Sequence, residues 1–119
     1  MDPIGKNSAL IRLLMDAAVQ RQKVIARNLA NVDTPGFRAK EIKFSKDLKE
    51  ALDRGDREVS DIAIETVDRD GPVKPDGNSV DLDRELSDLS GNALTYQTLV
   101  TLVSMKTNMV RSAIAGRSI

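Results

Sequence analysis

Apolar side chains recur at alternating steps of four and three along one stretch of the chain: Leu82, Leu86, Leu89, Ala93, Tyr96, Val100, Val103, Val110 and Ile114, with Thr107 the polar exception. A mean spacing of about 3.5 residues keeps one face of a helix turned toward a partner helix without drift. At a rise of about 1.5 Å per residue, a helix over this stretch is about 50 Å long, more than an ordinary globular helix. Its second half is apolar outside that series as well, at Leu99, Leu102, Met105, Met109 and Ala113, so it needs more than one neighbour.

A second amphipathic pattern lies near the other end of the chain. Ile11, Leu14, Ala18, Ile25, Leu29 and Val32 form a stripe with a polar gap at Gln22, and Leu10, Leu13, Ala17 and Val24 widen it. Arg12, Asp16, Gln20, Lys23 and Arg27 lie mostly around the other side. Asn7 or Ser8 is suited to cap this helix, so the spacing predicts a flexible terminus over residues 1–7 and a helix over 8–32.

Between the helices the pattern breaks. Asp33-Thr34-Pro35-Gly36 ends the first helix, because Pro35 disfavours α backbone at Thr34 and donates no hydrogen bond. Pro then Gly suits the centre of a type II turn, whose third position needs positive φ. An extended run over residues 37–44 follows, in which Ile42 and Phe44 share the face of Phe37 and Ala39 only if a bulge intervenes. Ser45 can cap a short helix carrying Leu48, Ala51 and Leu52, which completes a segment over 33–52. Residues 53–79 are dominated by charge and broken by Gly55, Gly71, Pro72, Pro75 and Gly77. Ile62, Ile64 and Val67 hint at one short strand there, but the stretch reads as a mobile or partner-ordered loop. Asp81 is placed to cap the second helix, over 80–116, with Asp83 and Glu85 in its first turn. Gly91 interrupts that helix, for close packing or a slight bend, and Gly116 is suited to end it. The fold class is therefore mainly α, one domain, with two long terminal helices pairing as an antiparallel coiled-coil hairpin around an extended or irregular middle.

Composition narrows the chemistry. The chain has 119 residues with 18 basic and 18 acidic side chains, which disfavours a nucleic-acid binder. It has no Cys and no His, so disulfides, Cys/His metal sites and His-based catalytic triads are excluded. Polar groups are dispersed rather than convergent, and no catalytic, cofactor or metal residue is expected. Arg12 and Asp16 interrupt the one candidate apolar core of a leader, so no cleavable signal peptide is expected. Ordering two long helices costs more than their seams recover, so a lone hairpin is marginal and copies of the chain are expected to supply the missing burial. Asn28 and Asn31 serve either to satisfy backbone near the helix end or to fix register at a packed seam.

The run Ala30-Asn31-Val32-Asp33-Thr34-Pro35-Gly36-Phe37-Arg38-Ala39 at the end of a long first helix resembles the signature of bacterial flagellar rod and hook proteins. Val80-Asp81-Leu82-Asp83-Arg84-Glu85-Leu86, followed by Asn92-Ala93-Leu94 and Tyr96-Gln97, is the second half of the resemblance and looks most like proximal rod subunits. The likeness covers residues 8–52 and 78–116 and leaves the middle unmatched; that middle is short for the family, some of whose members carry a β-domain there.

The resemblance implies a non-enzymatic structural subunit of the flagellar basal body that self-assembles helically through its terminal helices to transmit torque. It implies a periplasmic location reached through the flagellar type III export apparatus. It also implies, as partners, copies of itself, other rod proteins of the FlgC kind, an adaptor of the FliE kind, and the export gate and MS ring. Signature residues would be Asn28, Asn31, Thr34, Pro35, Gly36 and Phe37. The assembly seam would be Leu14, Ala18, Ile25 and Leu29 with Leu82, Leu86, Leu89, Ala93, Tyr96, Val100, Val103, Val110 and Ile114. A helical adaptor or secretion chaperone holding a partner helix is the alternative.

Overall fold

The computed structural model describes residues 3–45, 48, 50, 53 and 64–116, with side chains from Ser8 onward. Its elements are helix α1 over Pro3–Ala30, strand β1 over Lys40–Phe44, strand β2 over Ile64–Asp68 and helix α2 over Leu82–Ile114. The long axis measures 64 Å against 28 and 16 Å across. α1 packs on α2 along one side and on β1 along another.

α1 opens ahead of Asn7 and Ser8, at Pro3. Proline is at home in a first turn, where its fixed φ suits the helix and its missing N–H has no partner to lose. At the other end the Asn31 and Val32 amides bond back to Asn28 and Leu29, tightening the last turn before the chain leaves. α2 begins and ends on the groups its sequence provides. Asp81 accepts from the Arg84 amide at 3.3 Å, and Gly116, at φ +69, donates to the Ala113 carbonyl at 3.1 Å.

The helices run antiparallel, and their polar contacts step together down both. Asn28 meets Glu85 near one end, Asn92 meets Ala18 and Gln22 in the middle, and Lys106 meets Ser8 near the other. Between these contacts the interior is built from Leu13, Ala17, Ala18 and Ile25 of α1 and Leu99 of α2, with Ala39, Ile42 and Val80 beneath. Two of the most buried α1 positions, Leu13 and Ala17, belong to the row that only widens the first-helix stripe, while Leu14 and Leu29 are half-buried.

Strands β1 and β2 pair antiparallel from Lys40–Asp68 to Phe44–Ile64, with no bulge inside the ladder. Consequently Ile42 is buried and Phe44 is largely exposed on the two-stranded sheet. The strand at Ile64–Asp68, which Ile64 and Val67 hint at, and the return that follows are held in place within the chain, which corrects the reading of 53–79 as a mobile or partner-ordered loop over its second half; residues 54–63, Ile62 among them, lie outside the described residues. The physical reason is hydrogen bonding rather than apolar burial: the ladder continues to the Arg69 amide on the Ala39 carbonyl, and Asn78 anchors the return. Of the short helix expected after Ser45, the Leu48 amide bonds to the Ser45 carbonyl, and Ala51 and Leu52 lie outside the described residues.

Gly91 is exposed on α2, and a Cβ built on it meets nothing within 4 Å, so close packing does not explain it. Replacing it with Ala should therefore raise stability by about 1 kcal/mol, the difference in helix propensity. A higher urea midpoint with an unchanged slope is the expected result; a lower midpoint would mean that the helix needs a bend there.

Candidate functional site

Two features set how this molecule presents itself: a polar clasp at the closed end of the hairpin, and the surface that the clasp leaves uncovered on the helices.

The clasp begins at the Thr-Pro-Gly turn. The Phe37 amide closes it on the Thr34 carbonyl at 3.2 Å, and Gly36 sits at φ +77, the left-handed region that a side chain resists. Gly77, at φ +86, lies directly against it, and a Cβ on Gly77 would come within 3.2 Å of the Gly36 Cα. The two glycines let the turn after α1 and the return before α2 touch backbone to backbone, which the Gly36 amide uses to reach the Asp76 carbonyl at 3.0 Å.

Asn78, fully buried, fastens this contact. Its Nδ2 donates to the carbonyls of Asn31 at 2.9 Å and Thr34 at 2.8 Å, and its Oδ1 accepts from the Val80 amide at 2.7 Å. Ser79 does the same for the extended run, its Oγ accepting from the Ala39 amide at 2.7 Å.

Asn28 ties α1 to β1 and to α2. Its Oδ1 accepts from the Lys40 amide at 3.0 Å, and its Nδ2 donates to the Lys40 carbonyl at 2.9 Å and to Glu85 Oε1 at 3.2 Å. Glu85 is 0% exposed and is also bonded by the Arg69 guanidinium, which lies 3.6 Å from Asp88 and, through Nε, 3.7 Å from Glu41. The Glu41 approach is an ionic contact longer than a hydrogen bond. A carboxylate without solvent is tolerable only when paired and hydrogen-bonded; here distant parts of the chain supply both at Oε1, while Oε2 is buried without a hydrogen-bond partner among the described residues. Of the two roles open to Asn28 and Asn31, Asn28 joins three elements, while Asn31 acts locally, donating to the Arg27 carbonyl and accepting from Thr34 Oγ1.

The face of α2 turned toward α1 is not the apolar series. Its buried members are Glu85, Asn92 and Leu99, each seven residues from the last. Asn92 Nδ2 donates to the Ala18 carbonyl at 2.8 Å, in space left by the small Ala17 and Ala18. Most of the expected seam on α2 faces outward instead. Leu82 and Leu86 are 47% exposed, Val100 40% and Ile114 82%, and Ala93, Tyr96, Val103 and Val110 are exposed too; Leu89 is half-buried. On α1, Ala18 and Ile25 are buried within the chain itself. Exposed Leu94, Leu102, Met105 and Met109 extend the outward apolar surface well past what a monomer leaves uncovered by accident. Glu85 and Asn92 were not among the expected site residues. Their common seven-residue spacing with Leu99 was the available signal, hidden because an apolar count passes over polar positions.

A long helix pair with a polar interior edge and an apolar exterior is built for packing against other helices. Residues 15–38, from mid-α1 through the Thr-Pro-Gly turn, match the family described as flagella basal body rod protein. The chain is 34% identical to flagellar basal body rod protein FlgB of Yersinia enterocolitica over 108 residues, covering 75% of this chain and 79% of that protein. It is 30% identical to FlgB of Salmonella typhimurium over 121 residues, covering 86% and 88%, and 31% identical to FlgB of Bacillus subtilis over 107 residues, covering 81% and 83%. The chain belongs to the FlgB family of flagellar basal body rod proteins. It is a structural component of the flagellar basal body and not an enzyme.

The clasp makes a sharp prediction about stability. Arg69→Ala strands the Glu85 carboxylate in the interior and should cost about 3–5 kcal/mol, as removal of one partner from a buried pair does. Adding Glu85→Gln to that variant should recover part of the loss. Denaturant unfolding of the two variants checks both, and an Arg69→Ala loss below the value typical of a surface pair would remove the clasp from the account.

Proposed function

We propose that this chain is a subunit of the proximal rod that assembles helically through its two terminal helices and passes torque along the axis. The observation that carries this reading is the outward apolar series on α2, from Leu82 through Val100 to Ile114, on a helix whose inner edge is already occupied by Glu85, Asn92 and Leu99. Covering such a surface with sister helices supplies the burial that a single hairpin lacks. Interlocked helices then resist twisting, and the Thr34–Phe37 turn sets how α1 meets the rest.

In the same reading the assembly seam comprises Leu14 and Leu29 with Leu82, Leu86, Leu89, Ala93, Tyr96, Val100, Val103, Val110 and Ile114. Neighbours along the axis would be copies of the chain, rod proteins of the FlgC kind, a FliE-like adaptor, and the MS ring and export gate. The subunit would work in the periplasm after export by the flagellar type III apparatus, without a cleaved signal.

Val100→Asp separates assembly from folding. Val100 is 40% exposed in the single chain, so the isolated variant should unfold within about 0.5 kcal/mol of the parent. In cells it should be missing from purified basal bodies and leave the cells non-motile. Normal incorporation would contradict the proposed seam.

A further inference from the structure

The hairpin is electrically polarised although the chain as a whole carries no net charge. From Leu89 to Ile119 there is no acidic residue, and the charged side chains there are Lys106, Arg111 and Arg117. At this open end the start of α1 and the end of α2 enclose an apolar groove of about 620 Å³. Ile11, Met15, Val110 and Ile114 line it, and the exposed Arg12 and Arg111 border it. Lys106, bonded to Ser8 Oγ at 2.8 Å, completes a basic lining that contains no carboxylate among the described residues.

The opposite end of α2 has the complementary character. Leu82 and Leu86 are one turn apart and each 47% exposed, and the exposed Asp81 and Asp83 flank Leu82. The dipole of α2 suits acids at its start and Arg111 at its end, but it does not account for Arg12, which lies beyond the first turn of α1, out of reach of a helix-end effect.

We propose that the groove of one copy receives the Leu82–Leu86 turn of the next, with Asp81 and Asp83 set against Arg12 and Arg111. The inference rests on the assembly reading and adds to it a contact surface and a direction. A chain cannot fill its own groove this way, because positions 86 and 110 of one straight helix are about 36 Å apart. Two grooves cannot face each other without opposing like charges across an apolar contact. A groove that binds the far end of a sister molecule makes a contact between unlike surfaces; between copies that follow one another in the same direction it is heterologous and propagates into an open filament wherever the rotation does not close a ring.

The test uses the natural absence of cysteine. Full-length Leu86→Cys and Val110→Cys variants are prepared separately, concentrated alone or mixed in equal amounts, and treated with a short bismaleimide. The expected result is a cross-linked heterodimer in the mixture that neither variant forms alone. Adding Arg111→Glu to the Val110→Cys chain, or raising the salt concentration, should reduce its yield. Homodimers from either variant alone would mean that copies meet by like faces, overturning the head-to-tail contact while leaving assembly through the helices in place. A mixture with no cross-link overturns the proposal as well, and normal incorporation of Val100→Asp would be needed to count against the rod reading itself.

Discussion

A carboxylate with no access to solvent organises this molecule. Glu85 sits in the first turn of α2, and its charge is answered by Asn28 from the end of α1 and by Arg69 from the segment after β2. None of the three elements can leave without exposing or stranding a polar group in the interior, so each is present on condition that the others are. Such an ionic group is a weak source of net stability, but losing one partner leaves the other stranded in the interior. Around it, the Gly36–Gly77 contact and Asn78 bring the turn and the return so close that the two helices emerge from one rigid base.

That base determines which face of α2 looks inward. Once Glu85 is committed to the interior, the positions seven and fourteen residues on, Asn92 and Leu99, follow it around the helix. The apolar series that begins at Leu82 is thereby rotated outward. The polar edge is used within the chain, and the apolar edge is left exposed. This allocation has a clear consequence: register is settled inside one chain by directional hydrogen bonds, and under the proposed assembly cohesion between chains would come from non-directional burial.

Much of the architecture was legible in the residues. The two helices, the positive φ at Gly36, the Asp81 cap and the Gly116 terminator all follow from local rules, because each depends on neighbours only a few positions away. What local rules missed were contacts made across the chain. Asn28 and Glu85 are 57 residues apart and Asn78 and Asn31 are 47 apart, and neither pairing leaves a mark on the periodicity of its own segment. Beyond the short strand that Ile64 and Val67 hint at, the order of residues 64–79 is hidden for the same reason, since their anchors are a guanidinium and an amide rather than apolar side chains. Hydrophobic spacing marks the apolar series on α2, most of which the structure leaves exposed, but not which helix would cover it. Only the structure separates the seam used within the chain from the one left open.

The claim that one buried polar clasp holds the whole fold is tested most directly by native-state hydrogen exchange on the full chain. The Lys40 amide, bonded to Asn28, and the Val80 amide, bonded to Asn78, should exchange slowly and with a common opening free energy, because both are released only when the clasp opens. Amides of α2 beyond Leu99 should exchange faster, through fraying of an end that the clasp does not reach. Lys40 and Val80 amides exchanging independently of each other, or as fast as those beyond Leu99, would contradict the account.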